Sequence, residues 1–147
     1  MLQRKQTVWT LLAAICAALT FNYSFYHGNV VVGQYGHELR YLTAWPHYVN
    51  GASGSLLITI VTLVLIVGAV WNIFNYKNRT RQFWITIGLI VLSLLNIFLY
   101  WRAMGDFQEG GMSLSAAFVL LVPVFLVLAA RGIRKDEKLV KSTDRLR

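Results

Sequence analysis

Three histidines, His27, His37 and His47, recur every ten residues in one polar segment, and imidazoles are ligands for zinc or copper. Sites of that kind normally carry at least one short ligand spacing. Here the only carboxylate spaced as a partner is Glu38, adjacent to His37. The three therefore read as surface histidines, and neither metal nor cofactor is expected. Asp106 and Glu109, three apart, come nearest to a paired carboxylate and read as a solvated acidic loop. Cys16 is the single cysteine, so no internal disulfide can form, and it reads as a small packing residue. A nucleophile with its base, or a phosphate-cradling loop, would be legible in so short a chain. None is seen, and the chain reads as a non-enzyme. Asn22, Asn72 and Asn96 remain, each within an apolar run. Such amides either bond across helices as structural glue or line a cavity for a small molecule.

The elements that must position these residues are four apolar runs, Thr7–Tyr26, Ser55–Asn75, Phe83–Trp101 and Ser113–Ala130, of 20, 21, 19 and 18 residues. None contains Asp, Glu, Lys, Arg or His. A helix crosses about 30 Å of hydrocarbon with roughly 20 apolar residues, so each run predicts a span. The composition agrees: 56% of residues are hydrophobic and 14% charged, against about a quarter charged in soluble domains. A soluble bundle would need a polar face on each helix, and none of the runs supplies one. The fold class expected is an all-α membrane protein, a four-transmembrane-helix bundle forming one domain over residues 1–147. Pro123 removes one backbone donor inside the fourth run and can kink it.

The first run is nearly twice the length of a signal-peptide core, and Ile15 precedes Cys16 where a lipoprotein signal needs a small residue. A retained span is expected. Ionisable groups within spans mark proton relays and ion paths. Their absence disfavours a proton-coupled transporter and a haem-binding bundle.

Between the first two runs, Val30–Val32 precede Gly33 and Gly36, and His37–Thr43 partly alternates. This predicts a small β-hairpin in the first outer loop, residues 27–54. A lone hairpin is marginal, so it needs the helix ends or a third strand. Residues 102–112 read as a short Gly-rich outer loop. Asn72-Ile73-Phe74-Asn75-Tyr76 resembles Asn96-Ile97-Phe98-Leu99-Tyr100. The two segments end consecutive helices on opposite faces, so they read as shared interface chemistry rather than duplication.

Charge orients the spans. Of the fourteen Lys and Arg residues, twelve lie in three segments. These are the start (Arg4, Lys5), the middle loop (Lys77, Arg79, Arg81) and the tail (Arg131, Arg134, Lys135, Lys138, Lys141, Arg145, Arg147). Only Arg40 and Arg102 lie in the other two loops. With Asp136, Glu137 and Asp144 counted, the basic segments sum to +9, and the remaining loops to −1. Basic residues flanking spans stay on the cytoplasmic side, so both termini are expected there. The charge is topogenic, and nucleic acid is not expected as a partner. The same basic residues, Arg131 excepted, are the expected contacts for anionic lipid headgroups or for a protein partner in the membrane. Topology needs only positive charge. The acids mixed into the tail, with the loose apolar stripe of Ile133, Leu139, Val140 and Leu146, point to docking between segments or onto another protein.

Three stretches carry a family resemblance: Leu2-Gln3-Arg4-Lys5-Gln6-Thr7, Tyr76-Lys77-Asn78-Arg79-Thr80-Arg81-Gln82, and the tail from Lys135 to Arg147. Together they resemble a family of small four-helix inner-membrane proteins of Bacteroidota, of unknown function. The resemblance covers the whole chain, and the tail is its most specific part. It implies a bacterial inner-membrane location and the same four spans, and it supplies no activity. The resulting expectation is a non-enzymatic integral membrane protein, an accessory or scaffold subunit of a larger assembly. The alternative is a small transporter or lipid-binding bundle with a cavity between helices.

Overall fold

Runs of Leu, Ile, Val and Ala without a polar face satisfy their backbone groups most completely within a helix, and each apolar run does contribute one. The computed structural model describes residues 3–23, 25–32, 36–42, 53–75, 78–105, 109–114 and 116–144. Four helices, α1 (Gln3–Leu19), α2 (Ser53–Phe74), α3 (Arg79–Met104) and α4 (Ala116–Asp144), are joined at one end by a sheet. Its strands are β1 (Tyr26–Val32), β2 (Gly36–Leu42) and β3 (Glu109–Met112). Each helix packs on its sequence neighbours, and α4 closes on α1, the most extensive of the helix contacts. Among the described residues, three stretches are long and apolar enough to cross a membrane: Leu56–Phe74, Arg79–Met104 and Ala116–Glu137. The apolar part of α1, Gln6–Leu19, is shorter.

One predicted boundary moves, and one helix runs on past its apolar stretch. Hydropathy predicts a first helix that runs to Tyr26. Instead α1 ends at Leu19, a hydrogen-bonded turn carries the chain on (Tyr23 N–H to Leu19 O, 3.0 Å), and Tyr26 opens β1. The aromatic residues in that stretch serve different elements. Phe25 is 3% exposed and tilts against Tyr100 at 4.6 Å between ring centroids. Hydropathy alone could not separate a helix end from a strand start. At the other end, α4 does not stop at Ala130. It continues through the tail to Asp144 as one 29-residue helix, running through Pro123.

The predicted hairpin is present, with β1 antiparallel to β2 and His27 opposite Tyr41, Val31 opposite His37. It gains the third strand it needs from the segment that reads as an irregular outer loop. β3 pairs antiparallel with the other edge of β1, Gly111 opposite His27 and Gly110 opposite Gly28, giving the order β2-β1-β3. The Ser113 N–H then donates to Phe25 O at 3.1 Å, tying β3 to the turn after α1.

The interior is built in layers. Ala13, Ala14 and Ala17 let α1 approach closely, and with Cys16 they pack on Leu65 and Ala69 of α2, Leu89 of α3, and Val122 and Leu126 of α4. Gly68 passes Leu89 so closely that a Cβ there would lie 2.8 Å from Leu89 Cδ2. Toward the sheet, Phe25, Ile58, Tyr100, Ala116 and Val119 form a second cluster. Polarity is reversed relative to a water-soluble domain. Asn72, Thr62 and Thr86 are fully buried, while Leu63, Val64, Val67, Val91, Leu94 and Val124 stand exposed. Trp71, Phe74 and Trp84 are exposed toward one end, Phe98 and Trp101 toward the other.

Candidate functional site

The buried polar side chains gather in two places, a seam between α2 and α3 and a knot at the basic end. In the seam, Asn72 donates through Nδ2 to Thr86 Oγ1 at 2.8 Å, and that hydroxyl donates to Gln82 O at 2.8 Å. Toward the sheet, Asn96 Nδ2 donates to Thr62 Oγ1 at 3.3 Å, and Thr62 donates to Ile58 O at 2.8 Å. The two bonds are the same device with the helices exchanged, because α2 offers first Thr and then Asn while α3, running back, does likewise. A threonine that returns its proton to its own helix keeps its lone pairs for the neighbour's amide. The Gln82 amide adds a third link, to the main-chain oxygen of Asn72 at 3.2 Å. Asn72 Oδ1 and Asn96 Oδ1 are left without partners. The Tyr100 hydroxyl faces those of Thr20 and Thr62 at a geometry that makes no hydrogen bond with either.

The knot joins the three basic segments. Gln6 of α1 donates through its side-chain amide to the Asp136 carboxylate of α4. Arg79, at the start of α3, donates through Nη1 to the main-chain oxygen of Asp136 at 3.0 Å. Both Gln6 and Asp136 are buried, at 5% and 6% exposure. A buried carboxylate is costly unless hydrogen-bonded, and here an amide and the turn of helix held by Arg79 surround it. Gly132, one turn earlier on α4, lets Gln6 pass: a Cβ there would lie 2.9 Å from Gln6 Cγ. Ile133, 1% exposed, fills the same face. Beside the knot the Arg134 guanidinium lies over the Phe83 ring of α3, 4.5 Å from its centroid.

Of the basic residues expected to contact partners or headgroups, Arg81, Arg134 and Lys135 are exposed, as is Arg131, while Arg79 is half-buried and turned inward. Arg4 and Lys5 lie in α1, and Lys138 and Lys141 in α4; Lys77, Arg145 and Arg147 lie outside the described residues. The acids mixed into the tail point to docking, and Asp136 does dock α4 onto α1 and α3. Asn22 is exposed after α1. It shares nothing with Asn72 and Asn96, which bond across the helices.

His27 is exposed on β1, and His47 lies outside the described residues. The register sets His37 opposite Val31, four positions along β1 from His27. At roughly 3.4 Å per residue that is about 14 Å, too far for one ion to bridge the two backbone positions. Among the described residues no group of three His, Cys, Asp or Glu side chains could hold a metal.

A buried polar seam tying apolar helices, over a basic end, is a whole-chain pattern, and it has a family. The chain belongs to DUF4293, a domain of unknown function, which matches residues 2–146. Comparison with characterised proteins and with solved structures returns no match.

Two features of this family member escape a reading by element. The likeness between residues 72–76 and 96–100 is part of a longer one. Thr62–Tyr76 and Thr86–Tyr100, offset by 24, agree at eight of fifteen positions. Thr62 with Thr86, Leu65 with Leu89, and Asn72 with Asn96 occupy the same buried face. Shared interface chemistry accounts for only part of this likeness: Phe74 and Phe98 are exposed at opposite ends, whereas the Thr, Leu and Asn pairs face inward. Aligning the two apolar runs on their asparagines exposes it. The tail's acids point to docking as a group, but nothing in the sequence singles out Asp136 among them until α1 is laid against it.

Proposed function

We propose that this protein is a non-enzymatic integral membrane protein, a four-helix transmembrane bundle acting as an accessory or scaffold subunit through its basic end. The observation that carries the reading is the reversal of polarity: amides and hydroxyls are buried in the helix seam while Leu, Val, Ile, Trp and Phe cover the outside. In water that surface would aggregate; in lipid it is solvated, and the buried polar pairs supply association that hydrophobicity cannot. α1 with its turn to Tyr23 serves as the shortest span. Exposed aromatics at both ends suit the two interfaces. The knot brings the start of α1, the α2–α3 connection and the α4 extension to one end, so the positive-inside rule assigns that end to the cytoplasm of a bacterial inner membrane. The Asp136 knot also supports a scaffold role, because it ties the start of the α4 extension to α1 and α3.

Single cysteines in a Cys16→Ala background test the topology. Cysteines at Lys135 and at Met112 should react with an impermeant maleimide from opposite sides of the membrane, Lys135 from the cytoplasm. Equal labelling of both in intact cells would overturn the topology. For the assembly, native purification in mild detergent should recover a stoichiometric partner that is lost when residues 138–147 are deleted. Recovery of the chain alone would count against the accessory reading.

A further inference from the structure

We propose that the outer face shared by α3 and α4 at the basic end binds one anionic phospholipid. Its phosphate is held by Arg131, Arg134 and Lys135, and its acyl chains lie along the adjoining apolar stripe. The inference rests on the membrane reading above and locates a lipid site that the reading does not require. Arg131, Arg134 and Lys135 are exposed and stand three and four apart on α4, hence on one face of the helix. Arg134 is held against the face of Phe83. The ring contact positions the guanidinium, a group that can grip a phosphate bidentately. Trp84, the next residue of α3, is 67% exposed and supplies an indole at headgroup depth.

The surface next to these charges selects the ligand. Val124 and Leu120, seven and eleven residues before Arg131 on the same helical face, are exposed. On α3, Trp84 and Val91 are exposed as well. A cationic cluster leading into about 16 Å of exposed apolar helix surface has the axial order of a phospholipid. Free phosphate would use only the cluster. Arg79 and Arg102 are placed differently: Arg79 bonds inward to Asp136 O, and Arg102 lies in the last turn of α3 at the sheet end.

The test uses the full-length protein in mild detergent, with lipid retention measured by native mass spectrometry. Three ligands are compared: phosphatidylglycerol, phosphatidylcholine with the same chains, and inorganic phosphate. Phosphatidylglycerol should be retained in preference to phosphatidylcholine, and inorganic phosphate should neither bind stably nor displace it. Each arginine near an anionic headgroup is worth about fivefold, so the double variant Arg131→Gln/Arg134→Gln should weaken retention about 25-fold. Arg102→Gln should leave it unchanged. Equal retention of the two lipids, displacement by phosphate, or a double variant that binds like the parent with an unchanged circular dichroism spectrum would overturn the site. Carbonate extraction of cell membranes separates this from the underlying reading. A chain that stays in the membrane but shows no headgroup preference sinks only the lipid site, whereas release from the membrane sinks both.

Discussion

Thr86→Val should destabilise the α2–α3 pair more than Asn72→Leu, although it is the smaller chemical change. Asn72 is 0% exposed; its Nδ2 donates to Thr86 Oγ1 at 2.8 Å and its Oδ1 has no partner. Valine keeps the shape of threonine but removes the acceptor, leaving both polar atoms of the Asn72 side chain unpartnered. The expected cost is about 1–2 kcal/mol, combining a cross-helix bond of about 0.6 kcal/mol with desolvation of the freed donor. Leucine at position 72 loses the same bond but also removes the oxygen that was already unpartnered. The two effects oppose, so Asn72→Leu should fall within about 0.5 kcal/mol of the parent. Neither change touches the Gln82 link, which ends on the Asn72 main-chain oxygen. The double variant should match Asn72→Leu alone, giving a coupling of about 1 kcal/mol. Reversible unfolding of the full chain in mixed micelles, followed by circular dichroism, measures all three. A loss above about 2 kcal/mol for Asn72→Leu with Thr86→Val silent would refute the reasoning, because it would mean that Oδ1 is satisfied in the folded protein.

The remaining expectations probe the other contacts. Gly68→Leu should cost about 1–3 kcal/mol in the same assay, because even its Cβ meets Leu89 at 2.8 Å. Gly88→Leu, with open space at its Cβ, should stay within about 0.5 kcal/mol of the parent. Asp136→Ala strands the buried Gln6 amide and should loosen α1, raising the maleimide-labelling rate of buried Cys16 about tenfold; an unchanged rate would show that the knot carries no stability. Zinc titration should give the same isotherm for the parent and His37→Ala, since the register holds His27 and His37 four positions apart. A lost binding phase in the variant would reverse that conclusion.

Much of the architecture is legible in the chain itself. Four runs free of charge predict four helices, and Val30–Val32 with the glycines after them predict the hairpin, because both signals are local in sequence. The third strand is not legible. Glu109–Met112 reads EGGM, with no strand propensity of its own, and it becomes β3 because β1 offers it an unpaired edge beside Phe25. The site is legible in kind rather than in detail. Asn72 and Asn96 are recognisable as amides needing partners, but Thr86 and Thr62 look like any other hydroxyls in apolar helices.

Composition and spacing by themselves determined that the chain forms long apolar helices and that its basic segments alternate along them, since transfer energies and charge counts add up residue by residue. Which polar groups meet was decided only by the tertiary structure. Gln6 and Asp136 lie 130 residues apart, and nothing local distinguishes Asp136 from Glu137 beside it. Their contact exists because Gly132 lets α1 and α4 approach, and because α4 runs on as a helix past its apolar stretch. A hydrogen bond depends on register to within a fraction of an ångström, and register belongs to the packed helices together rather than to any one of them.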